Sequence, residues 1–124
     1  LQYHQSKGAR GFVLEATALG HVPTAAARNP WIPEIAKLAT DGTPVVIATQ
    51  ALYGRVHPSV YTNLRLLFHG AKAIPAGDLL PEVAYIKLGW VLGHTTELTE
   101  VKAMMATNYA GELNPRIEPE TFLY

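Results

Sequence analysis

A chain of 124 residues, 48% hydrophobic and 16% charged, has the size at which one domain buries a core of its own. Ten basic residues balance ten acidic ones and lie scattered, so nothing predicts a nucleic-acid stripe or a polybasic membrane patch, and no apolar run approaches a bilayer span. The lack of cysteine excludes disulfides and thiolate chemistry within the chain and leaves its compartment open.

Leu1 to Gly8 has the composition of a helix's last turns and lacks the apolar stretch of a signal peptide. With no initiator Met, the sequence reads as a fragment that starts inside a helix whose preceding strand is missing. Three apolar runs follow, at Phe12 to Leu14, Pro44 to Ala48 and Ala71 to Ile74, starting about 30 residues apart as in βαβ units. They do not alternate with polar residues, so they read as parallel strands covered on both faces.

Between them the periodicity predicts a helix over Trp31 to Thr40, introduced by Asn29-Pro30 and stopped at Asp41-Gly42. A second is expected over Ser59 to Gly70, with Ser59 as its cap and Val60, Tyr61, Leu64, Leu67 and Phe68 as its buried stripe. A third, Pro81 to Leu92, is apolar nearly all round and calls for cover on both sides, with Ile86 and Trp90 spaced as packing residues. A fourth runs from Glu97 to about Asn108 after Thr95-Thr96, with Leu98, Val101 and Met105 buried. Residues 1–113 thus read as one α/β domain, a small parallel sheet with helices on both faces in the flavodoxin-like or Rossmann-like manner. Residues 114–124, interrupted by Pro115 and Pro119, read as an extended tail.

In open α/β sheets, ligands bind beyond the carboxyl ends of the strands. The loop Thr17 to Pro23 offers Gly20 for a sharp turn and the imidazole of His21, against the alternative of a plain turn with a solvated or capping histidine. The loop Thr49 to Pro58 gathers Thr49, Gln50, Tyr53 and Arg55. Arg55 there suits either a carboxylate clamp or a structural ion pair at a subunit boundary, and Tyr53 offers a hydrogen bond from a rigid ring. The five histidines, His4, His21, His57, His69 and His94, fall at no metal-ligand spacing, so no metal is expected. Glu82, in the first turn of a helix, reads as a dipole partner, and Met104-Met105 as core filler. Phosphate-cradle and serine-elbow motifs are missing, as is any visible Ser-His-Asp set, so no complete active site and no catalytic residue is expected within the chain.

Four segments in order carry a resemblance: Leu19-Gly20-His21-Val22-Pro23; Tyr53-Gly54-Arg55-Val56; Leu80 to Leu88 with Trp90-Val91-Leu92-Gly93-His94; and Thr107-Asn108-Tyr109-Ala110-Gly111-Glu112. Together they make the chain resemble the carboxy-terminal half of the asparaginase/glutaminase family. It is most similar to the archaeal branch that serves tRNA-dependent amidation, the D subunits of glutamyl-tRNA(Gln) amidotransferase. The resemblance implies a cytoplasmic enzyme whose amino-terminal half, not present in this sequence, carries two threonines, an aspartate and a lysine. An activated threonine would hydrolyse a glutamine or asparagine side-chain amide through an acyl-enzyme and release ammonia.

It further implies a homodimer in which this half completes a neighbour's active site. The amidotransferase's E subunit, as partner, would use ATP and Mg to phosphorylate the glutamate on mischarged tRNA and amidate it. The domain itself would need no cofactor and would touch tRNA only indirectly. His21 falls where asparaginases place a substrate-side asparagine and Arg55 near a position that contacts the neighbour's substrate, so His21, Tyr53 and Arg55 are the expected substrate-binding or intersubunit residues. Where relatives show G-T-G-L-G-H this chain has Ala16 and Ala18 in place of the first two glycines, which stiffens the loop. His57 replaces a common asparagine, and Asn63-Leu64 a usual Thr-Gly pair. The alternatives are a stand-alone cytosolic L-asparaginase of the same fold and a non-enzymatic module that binds a small anion at the Arg55 loop.

Overall fold

The computed structural model describes residues 1–24 and 28–122. Three strands, β1 (Phe12–Ala16), β2 (Val45–Thr49) and β3 (Ile74–Pro75), lie side by side in that order and run parallel. Phe12 stands opposite Val45, Ala16 opposite Thr49, and Val46 opposite Ile74. All five residues of β2 are buried, which a strand achieves only when both faces of its sheet are covered. Alternation sends Val45 and Ile47 into one core and Val46 and Ala48 into the other.

The short α1 (Gln2–Ser6) buries nothing, and Gln5 ties it down by donating from Nε2 to Thr43 Oγ1 at 2.9 Å. On one face of the sheet α2 (Ile32–Thr40) contributes Ile35 and Leu38. Beside it, α3 (Thr62–Arg65), continued by a π-helical turn over Leu66–Gly70, contributes Leu64, Leu67 and Phe68. On the other face α4 (Pro81–His94) and α5 (Leu98–Ala106) supply Ala84, Leu88, Val91, Val101 and Met105. Each large aliphatic side chain buried this way contributes roughly 1.5–3 kcal/mol. The fold is thus the small parallel α/β layer expected from the sequence.

Several local expectations are corrected. The second helix starts at Thr62, three residues after Ser59, because Tyr61 is extended (φ −112, ψ 153). Ser59 faces His69 instead, Oγ to Nε2 at 3.3 Å, and its carbonyl accepts from Arg65 Nη1. Val60 and Tyr61 accordingly lie 53% and 54% exposed, outside the buried stripe. The third strand is shorter and later than the run Ala71 to Ile74 suggested, since Ala71 N still donates to Leu66 O and closes the wide turn. Lys72 then takes the left-handed position, at φ 63, and Gly70 does not.

The fourth helix ends at Ala106, two residues before Asn108. Ile86 and Trp90 do not pack in the core: Ile86 is 70% exposed, and Trp90 stacks on Tyr109 and His94 with ring centroids 5.0 and 4.2 Å away. The outer side of α4 is therefore apolar and open. Met105 fills the second core as expected, with Met104 packed beside it. The tail contains one 3₁₀ turn, Pro119–Thr121, and the end of the expected strap, Leu123 and Tyr124, lies outside the described residues. Among the described residues no helix is long and apolar enough to cross a membrane.

Candidate functional site at the carboxyl edge of the sheet

The last residue of β2 organises the edge. Thr49 is 3% exposed, so its hydroxyl must be paired. Oγ1 donates to Ala18 O at 2.5 Å and accepts from Ala51 N at 3.0 Å, which fastens the loop after β1 to the loop after β2. Gln50 N adds a bond to Ala16 O. Farther along, His57 N donates to Leu19 O at 3.1 Å and Val56 N to Gly77 O at 2.8 Å, so this segment is stitched to the loops after β1 and β3. Three loops distant in sequence thereby form one rim. Gly20 permits a close approach: its φ is +106, and a Cβ there would lie 2.9 Å from Val56 Cγ1.

Along this rim the three expected site residues face different hollows. His21 closes a tight turn, its N donating to Thr17 O at 2.8 Å, and its ring lies against Tyr61 at 5.3 Å. It borders a depression of about 210 Å³ with Thr17, Pro23 and Trp31. Tyr53 rests on Phe122, centroids 5.1 Å apart, beside a hollow of about 290 Å³ that Asp78 and Leu80 also line. Arg55 lines a larger cleft, about 780 Å³, with His57, Gly77, Asn108, Asn114 and Arg116. Gly54 explains the parting of Tyr53 from Arg55. Its N–H closes a turn onto Ala51 O, and a Cβ on it would come within 2.5 Å of the Ala51 Cβ.

Arg55 is a cation short of partners. Nη2 donates to the main-chain oxygen of Asn114 at 3.1 Å, whereas Nη1 is shut off from solvent and has no hydrogen-bond partner among the described residues. Leaving such a donor unpaired costs about 1–3 kcal/mol. The strap is held in place by Asp78, whose carboxylate accepts from Asn114 N at 3.1 Å and Nδ2 at 2.8 Å. Reading the sequence missed Asp78 and Asn114, because an extended tail interrupted by Pro115 carries no mark of what it will rest on.

The last of the four resembling segments serves a structural end. Lys87, 7% exposed on α4, donates to Glu112 Oε1 at 2.6 Å and to Thr107 O at 2.5 Å, beneath the Tyr109 ring. The bond from Lys87, joined by the backbone N–H groups of Ala110, Glu112 and Tyr109, holds the Glu112 carboxyl down at about 2. Gly111, at φ +84, lets the loop curl back so that its N–H meets Asn108 Oδ1. Among the described residues no three His, Asp or Glu side chains cluster as metal ligands.

Residues 1–105 match the model of the glutaminase/asparaginase C-terminal domain. The chain belongs to that family. It is 48% identical over 123 residues to the D subunit of glutamyl-tRNA(Gln) amidotransferase from Thermococcus kodakarensis, covering 99% of this chain and 27% of that one. The corresponding protein of Pyrococcus furiosus is 50% identical over 117 residues, 94% of this chain and 25% of its own. The chain thus spans about a quarter of the length of these curated relatives. Among solved structures, the thermostable L-asparaginase of T. kodakarensis superposes with a TM-score of 0.80 at 36% identity, over 90% of this chain and 33% of that one. L-asparaginase I of Vibrio cholerae gives 0.73 at 28%, over 87% and 31%. This asparaginase C-terminal domain is therefore similar in sequence to amidotransferase D subunits and in architecture to L-asparaginases.

Proposed function

We propose that this chain is the carboxy-terminal domain of an asparaginase-like amidotransferase subunit that releases ammonia from glutamine or asparagine for the conversion of Glu-tRNA(Gln) to Gln-tRNA(Gln). The observation that carries the reading is identity near one half, over almost the whole chain, to amidotransferase D subunits of which the chain is only a quarter. The attacking threonine then belongs to an amino-terminal half. This domain supports a homodimer and lends side chains to the active site of a neighbouring subunit, with His21, Tyr53 and Arg55 as its substrate-facing or intersubunit residues. Their placement along one rim, in separate hollows, suits contacts to a second surface better than a self-contained site. The amidotransferase's E subunit is the partner that would hold ATP and Mg and act on the mischarged tRNA, so tRNA is met indirectly, in the cytoplasm.

The test is an ammonia-release assay with glutamine and asparagine. The chain alone is expected to give background rates and to associate stably with an E-subunit homologue. Turnover well above background by the chain alone would overturn the supporting role. A second reading, a domain of a stand-alone L-asparaginase, is favoured by the 0.80 superposition on such an enzyme. It predicts amide hydrolysis by the assembled protein without any such complex.

A further inference from the structure

The Arg55 cleft, whose guanidinium the reading above turns toward a second surface, also has room for a small ligand held by this chain's own residues. It opens beyond the carboxyl ends of β2 and β3, where open α/β sheets bind ligands. Gly77 follows β3 at φ +68, and the Leu113 side chain takes the space that a side chain there would need: a Cβ would lie 2.8 Å from Leu113 Cδ1 and 3.6 Å from Arg55 Nη2. The guanidinium's only hydrogen bond among the described residues goes to the neutral Asn114 carbonyl, and no carboxylate there comes within ion-pair distance of it. Asp78, the acid that anchors the strap, already accepts from two Asn114 nitrogens.

A second guanidinium, that of Arg116, lines the same cleft and is paired through Nε with Glu118, leaving its Nη groups for other acceptors. The exposed His57 side chain and Asn108 complete a wall rich in donors. We infer that this cleft binds a small organic anion through a carboxylate or phosphate group held against Arg55 and Arg116. The anion need not touch the sealed Nη1. Charge is delocalised over the whole guanidinium, so an oxyanion at any open edge, or in place of the Asn114 carbonyl, offsets the unpaired cation.

The experiment is a titration of the protein with inorganic phosphate and, separately, with malonate at low salt. It is followed by amide chemical shifts and by calorimetry. Saturable binding is expected, with shifts confined to the Arg55–Pro58, Ala76–Gly77 and Asn114–Ile117 segments. Arg55→Gln should weaken binding about tenfold or more, and Arg55→Lys should weaken it less, because the charge remains while the fork is lost. Arg116→Gln should weaken it about threefold. Saturation by phosphate alone assigns a phosphate ester, and saturation by malonate alone a carboxylate. The inference is overturned if neither anion saturates, or if Arg55→Gln matters no more than Lys102→Gln, an exposed charge on α5 outside the cleft. Thermal unfolding of each variant separates lost binding from lost fold. The readout is binding to this chain, so its failure leaves the ammonia-release reading standing, and the converse holds as well.

Discussion

Replacing Ala18 by glycine is expected to stabilise the protein, whereas the same replacement at Ala16, two residues earlier, should destabilise it. Ala18 stands at φ +46, where the Cβ of an L-residue crowds the following carbonyl at a cost of about 1–2 kcal/mol. The backbone cannot relax freely, because the Ala18 carbonyl receives the buried Thr49 hydroxyl. Glycine removes the crowding but adds freedom to the unfolded chain worth about 0.4–1 kcal/mol, so the net gain is about 0.5–1 kcal/mol. For a chain of this size that is a rise of about 2–4 °C in Tm. Ala16 is 4% exposed, ends β1 opposite Thr49 and has no positive φ. Glycine there deletes a buried methyl, about 0.8 kcal/mol, and adds a similar backbone entropy, for a loss of about 1–2 kcal/mol. Urea unfolding followed by far-UV circular dichroism and by the fluorescence of Trp31 and Trp90 measures both. An Ala18→Gly midpoint at or below that of the parent, with unchanged m, would refute the strain argument and with it the account of how the rim is held.

Gly20→Ala meets both a φ of +106 and a Cβ contact of 2.9 Å with Val56, so a loss of about 2–4 kcal/mol is expected in the same unfolding experiment. Thr49→Val keeps the shape and removes the hydroxyl, leaving Ala18 O and Ala51 N without their partner. It should cost about 1–3 kcal/mol and speed hydrogen exchange at the Ala51 amide. The folded-state pKa of Glu112 is depressed, from a usual 4.5 to about 2, so its contribution is fully present above 4.5 and is lost as pH falls toward 2. Tm should therefore decline on acidification across that window. In Glu112→Gln the slope should flatten, and equal slopes in the two proteins would remove Glu112 as its source.

Much of the architecture was legible because burial on both faces leaves a plain mark. Pro44 to Ala48 reads as an unbroken apolar run, and the structure buries all five residues of the strand Val45–Thr49. Which side of α4 is covered was not legible in a helix apolar nearly all round: Ile86 and Trp90 are spaced for packing, yet Ala84, Leu88 and Val91 are the buried ones. What also could not be read was where a helix starts when tertiary contacts outweigh a local cap. Ser59 offers a good capping hydroxyl, yet Arg65 takes the carbonyls of Ser59 and Val60, and the helix begins only at Thr62. The left-handed residue after the π-turn is Lys72 and not a glycine, so composition gave no warning of it.

The rim shows the same limit at the level of function. Sequence order placed His21, Tyr53 and Arg55 on loops after adjacent strands, and all three do lie on the carboxyl edge. Their directions, however, are set by contacts that no local pattern encodes. The Ala51–Gly54 turn parts Tyr53 from Arg55, Phe122 reaches back from the tail to stack on Tyr53, and Asp78 pins Asn114 so that its carbonyl caps Arg55. Two of these three contacts come from residues 114–122, the part of the chain in which sequence reading expected only a strap. The tail thus decides which functional groups of the rim are covered. Any ligand or neighbouring surface that engages Arg55 fully must either share that guanidinium with Asn114 or displace it.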